Sequence, residues 1–202
     1  MDSQLTLVNP APPPSLIFSS TSLRNTHIYL SSDPTPRAPR WTVATDNSKP
    51  GTGTRVYEGD GEPGSRMIAV LYLKDVLPDV ITFPASVAPG GGDVKVKVNK
   101  WLRKAMLADN YPIRILSPSP EECYYWKTDQ MHRLALYNDR DHQYPLATFS
   151  PSPSSPCALT VSPEVEPIIE SVLVSFIYLE LKMRIKENIA RVAQSRGLAD
   201  YR

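Results

Sequence analysis

Cysteine is scarce. The chain has two, Cys123 and Cys157, too few for a disulfide framework and not spaced as a CxxC pair. Two reduced thiols are the expectation. Histidine is nearly as scarce: His27, His132 and His142 show no HxxxH or HExxH spacing. No G-x-S-x-G elbow accompanies a Ser-His-Asp set. The glycines of "PGGGD" (Pro89 to Asp93) lack the Gly-Lys-Ser/Thr that cradles phosphate, so they read as a turn. An excess of one charge is missing too. The 22 Lys and Arg against 21 Asp and Glu leave a formal net charge of +1, which argues against a dedicated nucleic-acid binder. The first residues carry Asp2, no early Lys or Arg and no continuous apolar run, so they are not a secretory signal. No Asn-x-Ser/Thr sequon and no internal repeat occur. These absences point to a soluble, cytoplasmic chain with no cofactor.

Proline is the exception, with 21 residues. It removes a backbone donor and is confined to loops, edges and first helical turns. Its spread from Pro10 to Pro167 excludes a helical bundle over that span. Short β-type runs recur between turn signals: Gln4 to Val8, Thr26 to Ser32, Trp41 to Thr45, "TRVYEG", Arg66 to Lys74, "VITF" and "DVKVKVNK". Farther on come Pro112 to Leu116, Glu122 to Thr128, His132 to Asn138, Pro145 to Ser150 and Cys157 to Ser162. In "DVKVKVNK" the valines alternate with lysines, the period of a half-buried strand. Asn99 to Leu107, "NKWLRKAML", reads as one or two helical turns. Ser150 to Pro156, "SPSPSSP", reads as a low-complexity hairpin loop whose Ser-Pro pairs suit phosphorylation. Spacing at roughly 8–15 residues is that of a sandwich or barrel with about 11–12 strands.

From Pro167 the pattern changes. A helix is expected from about 167 to 194, stopped by Gly197. Ile169, Val172, Phe176 and Leu179 fall on one face, Ile168, Leu173 and Ile177 on the next, and Val174, Tyr178 and Leu181 on the rest. A helix apolar all round is enclosed by protein or sits in lipid. Lipid fails on length, because Glu170 and Glu180 leave only Ser171 to Leu179 uncharged and a span needs about 20 apolar residues. The remaining option is a closed antiparallel β-barrel around a buried hydrophobic C-terminal helix. Residues 1–196 would form this one domain and 197–202 a short tail.

The segments "ECYYWK", "RLALYN", "PLATFS", "ALTVSPE" and "IIESVLVSFIYLELK" resemble a fungal domain of unknown function, number 6593. The likeness runs from about Ile113 to Arg184, with "SPEE" (Ser119 to Glu122) where that family usually has Asp-Gly. By analogy the chain is similar to tubby C-terminal-like domains, including the scramblase and LURP-one-related proteins. The resemblance implies a tubby-like barrel and carries over no catalytic residues.

Candidate sites are sparse. Asn138 to His142, "NDRDH", offers Asp139, Asp141 and His142 to a cation, but Asn and Asp favour a hairpin turn there. A pocket gathering His132, Asp139 and a serine would point to a hydrolase. Trp126 reads as a wall residue and Cys123 as an unactivated thiol in a strand. The helix end carries Lys182, Arg184, Lys186, Arg191 and Arg196 beside an apolar stripe of Ile185, Ile189 and Val192. Lys100, Arg103 and Lys104 flank Trp101. Both patches suit an anionic phospholipid surface or a protein partner. Dipole complementarity explains the first equally well. The expectation is a non-enzymatic binding or scaffold module, peripheral at membranes. The alternative is a protein-interaction domain docking through the basic helix end.

Overall fold

A computed structural model describes residues 13–33, 38–46, 53–74, 77–87, 92–149, 151 and 157–199, the last four as backbone only. Thirteen strands and one long helix account for most of them. The first half supplies β1 (Ser15–Phe18), β2 (Thr26–Leu30), β3 (Trp41–Thr45), β4 (Thr54–Glu58), β5 (Met67–Tyr72), β6 (Val80–Phe83) and β7 (Val94–Lys97). A single helical turn, α1 (Val98–Trp101), leads to β8 (Leu102–Met106). Then follow β9 (Pro112–Leu116), β10 (Tyr124–Lys127), β11 (Leu134–Asn138), β12 (Ala147–Phe149), β13 (Ala158–Val161) and α2 (Ile169–Ala199). The strands form one sheet in the order β7-β6-β5-β4-β3-β2-β1-β13-β12-β11-β10-β9-β8.

The closed barrel expected from the sequence does not form. β7 and β8 are the free edges of an open sheet, with no ladder between them. The reason is parity. Every ladder is antiparallel. With thirteen strands in strict alternation, the two edges point the same way. Closure would need a parallel β7–β8 pair, and parallel neighbours require a crossover of a dozen or more residues. Only the four residues of α1 link them. Exposed Lys95 and Lys97 on one edge and Arg103 and Lys104 on the other discourage pairing with another chain.

Two strands escaped the sequence pattern. β1 is four residues hidden behind a proline run, and β8 lies in the stretch that reads as helix. Only Val98–Trp101 of that stretch is helical. The expected strand at Gln4 to Val8 and nearly all of the Ser-Pro loop fall outside the described residues.

The buried helix does form. The ten residues Val172 to Leu181 are all buried, including Ser175 and Glu180, so no side of nearly three turns meets solvent. Phe176 packs against Phe18, Trp126 and Phe149, with ring centroids 5.6, 6.3 and 4.8 Å away. These rings come from β1, β10 and β12. Trp126 Nε1 donates to Ser175 Oγ at 2.9 Å, and Ser175 Oγ donates to the Val172 carbonyl at 2.9 Å. One serine thus pins the rotation of α2 against β10. A 3-10 segment, Pro163–Ile168, precedes α2, so Pro167 lies before the α-helix, where its missing N–H costs no α-helical bond. Gly197 does not stop the helix, which continues to Ala199.

Candidate functional site

Strand direction gives the fold two ends. α2 begins beside Val161 and leaves at the end where three loops grip it. Tyr178 donates to Asp79 at 2.9 Å, and Lys182 pairs with Asp79 at 3.0 Å. Arg133 meets the buried Glu180 at 2.8 Å and spans both oxygens of Glu187 at 2.7 and 2.9 Å. Arg184 donates to Glu180 at 2.7 Å and to the Thr21 carbonyl. Hydrogen bonds to Glu187 and Glu180 push the Arg133 guanidinium above its ordinary value, against its burial. Glu187 is held below the usual carboxylate range, chiefly by the bond from Arg133. Burial first, then the bond to Asp79, pushes the Tyr178 hydroxyl up.

A recess of about 270 Å³ opens beside this collar, between α2 and β9–β11. Arg114, Lys127, Lys182 and Lys186 line it, with Trp126, Tyr178 and Met183 among the other wall residues and no carboxylate. Lys182 is committed to Asp79, and Lys127 lies 4.1 Å from the Tyr137 ring centroid. Arg114 and Lys186 form no ion pair among the described residues. Lys104 is the cross-strand neighbour of Arg114 in the β8–β9 ladder.

Arg114 reaches this place through an inversion. "PIRIL" reads as two inward isoleucines around an outward arginine. Its cross-strand neighbour, however, is the core residue Trp126. Ile113 and Ile115 join a second, smaller cluster on the outer face, around Tyr125, Ala135 and Tyr137. Tyr125 and Tyr137 stack at 5.6 Å. Because side chains alternate with period two, a cluster on the outer face turns the arginine inward. Sequence reasoning missed Arg114, which only the pairing register reveals; Lys127, opposite Ala135 of the outer cluster, sets its ammonium over the Tyr137 ring.

The residues singled out from the sequence separate. Lys104, Lys182 and Lys186 lie at or beside the recess. Arg184 is spent inside the collar. Arg191 is exposed and donates to Asn188 at 2.7 Å. Lys100 and Arg103 are exposed on α1 and β8, while Trp101 is half-buried, edge-on to Phe83 at 5.5 Å. From Lys186 to Ser195 every residue is exposed, including Ile189 at 63% and Val192 at 40%. Leu77 and Met131, on two of the gripping loops, are 63% and 80% exposed.

The remaining candidates disperse. His132 bonds Asp129 at 3.2 Å, and Asp139 lies past the opposite end of β11, so the hydrolase trio is not assembled. His142 bonds the Tyr125 hydroxyl at 2.8 Å, while Asn138 and Asp141 accept turn N–H groups. Among the described residues no group of three or more His, Cys, Asp or Glu could hold a metal ion. Both cysteines are free, and burial pushes the Cys157 thiol up despite nearby Arg184. No described helix is long and apolar enough to cross a membrane. Neither the curated proteins nor the solved structures contain a match. Residues 21–185 match the model of a family of unknown function, DUF6593, and the chain belongs to that family.

Proposed function

We propose that this domain is a non-enzymatic binding module whose helix-exit end engages anionic phospholipid at a membrane surface. The observation that carries the reading is the recess walled by four basic residues and no carboxylate, of which Arg114 and Lys186 form no ion pair among the described residues. One of them, Arg114, is half-buried and turned toward the core side of its strand without an ion-pair partner among the described residues. Burying part of a charge without a counterion costs free energy. An anionic headgroup offsets that cost. The exposed Leu77, Met131, Ile189 and Val192 lie around the same end and suit shallow contact with acyl chains.

The test is co-sedimentation with phosphatidylcholine vesicles carrying phosphatidylserine or a phosphoinositide. Binding should require the anionic lipid and weaken as salt rises. Each cation near such a surface contributes about 1 kcal/mol, so Arg114→Glu with Lys186→Glu should cost at least about thirtyfold. Arg140→Glu, at the opposite end, should change little. No pelleting at low salt, or equal loss from Arg140→Glu, would refute the reading. Loss of a protein partner from the Lys186→Glu variant, with no vesicle binding by the native chain, would instead favour docking through the helix end.

A further inference from the structure

The larger recess lies at the other end of the fold, where α2 begins. It measures about 910 Å³, within the range of small-molecule sites. Its walls include Leu30, Trp41, Val161 and Ile169, and Trp41 and Val161 are buried. Its rim carries Asp33 and Glu166, both exposed and neither in an ion pair among the described residues. Among the described residues the rim carries one cation, Arg40, and it is already engaged. It pairs with Glu58 at 3.3 Å and lies 5.5 Å from the Trp41 ring centroid. Among the described residues the uncompensated charge at the mouth is therefore negative, although the chain as a whole is nearly neutral. Arg40 also shows that the Trp41 ring already accepts a cation against its π system.

We propose that this recess binds a small apolar molecule bearing an amine, with its body against Leu30, Val161 and Ile169 and its ammonium between Asp33 and Glu166. An apolar acid of the same size would set its carboxylate against two like charges. Charge is thus the determinant of selectivity, and shape only of size. The site is independent of the cationic recess at the opposite end, so either can fail alone.

The experiment titrates the full chain with dansylcadaverine, a naphthalene sulfonamide ending in a primary amine, and follows energy transfer from tryptophan. Dansylglycine supplies the same ring with a carboxylate. Saturable binding of the amine, at least tenfold tighter than the acid, is expected. Asp33→Asn with Glu166→Gln should weaken the amine at least tenfold and bring the two probes level. Its urea midpoint should stay where it was, since both side chains are exposed. Trp41→Phe should remove most of the transfer while leaving Trp101 and Trp126 in place. The proposal is overturned by non-saturable transfer, by equal binding of amine and acid to the native chain, or by a double variant that binds the amine as before. Amine binding lost in Arg114→Glu with Lys186→Glu but kept in the Asp33–Glu166 variant would also overturn it.

Discussion

Ser175 is the smallest side chain on which the rotation of α2 depends, and replacing it with alanine isolates that dependence. Its hydroxyl receives the Trp126 N–H and donates to the Val172 carbonyl, and the residue is fully buried. Ser175→Ala removes one oxygen and leaves almost no cavity. It strands the Trp126 N–H where both side chains are closed to solvent, whereas the Val172 carbonyl stays within a helix. Stranding one buried donor costs about 1–3 kcal/mol. For a domain of this size each kcal/mol lowers the thermal midpoint by about 2–4 °C. Urea unfolding followed by fluorescence and circular dichroism should show a lower midpoint with an unchanged slope. Trp126→Phe deletes the donor instead and loses packing as well. In the double variant the hydroxyl is no longer needed, so the two losses should fall short of additivity by on the order of 1 kcal/mol. Additive losses, or a Ser175→Ala variant within about 0.3 kcal/mol of the parent, would refute the claim that this contact sets the helix against the sheet.

Glu180→Ala should be more damaging, because it leaves Arg133 and Arg184 facing each other at the collar without their shared, buried carboxylate; a loss of about 3–5 kcal/mol in urea unfolding is expected. Acid should loosen the same collar. Glu187 in the collar and Glu58 at the opposite end, beside Arg40 and Arg66, are held below their ordinary 4.5, so the unfolded chain binds more protons, and stability should fall as pH drops below about 4.5. Glu187→Gln should flatten part of that slope. Burial and the bond to Asp129 push the Tyr137 hydroxyl up to about 12. Its native-state titration should therefore lag the unfolded chain's near pH 10, and this tyrosine's contribution to stability should decline as pH rises above about 10. Spectrophotometric titration of Tyr137→Phe against the parent identifies it.

Much of the architecture was legible because it rests on local periodicity. The all-round apolar helix between Glu170 and Glu180 reads directly as a buried core, and the alternation in "DVKVKVNK" reads as a half-buried strand. What failed was global. Strand parity depends on every strand being found, and β1 and β8 are short segments with weak signals: "SLIF" follows a proline run, and "LRKAM" has the composition of a helix. Missing these two while counting Gln4 to Val8 gives twelve strands, an even number whose edges would run antiparallel and could close. The cationic recess was half legible. Lys182 and Lys186 stand out in the basic tail, although Lys182 is neutralised by Asp79, a residue about one hundred positions away. Arg114 was hidden because an outer-face cluster reverses the usual reading of an Ile-Arg-Ile run.

The claim that binding belongs to the helix-exit end is tested most directly by amide hydrogen exchange on anionic vesicles. The account predicts added protection confined to residues 77–79, 106–112, 128–133 and 182–195. Protection centred instead on residues 59–66 and 162–168, or none anywhere while the protein is vesicle-bound, would contradict it.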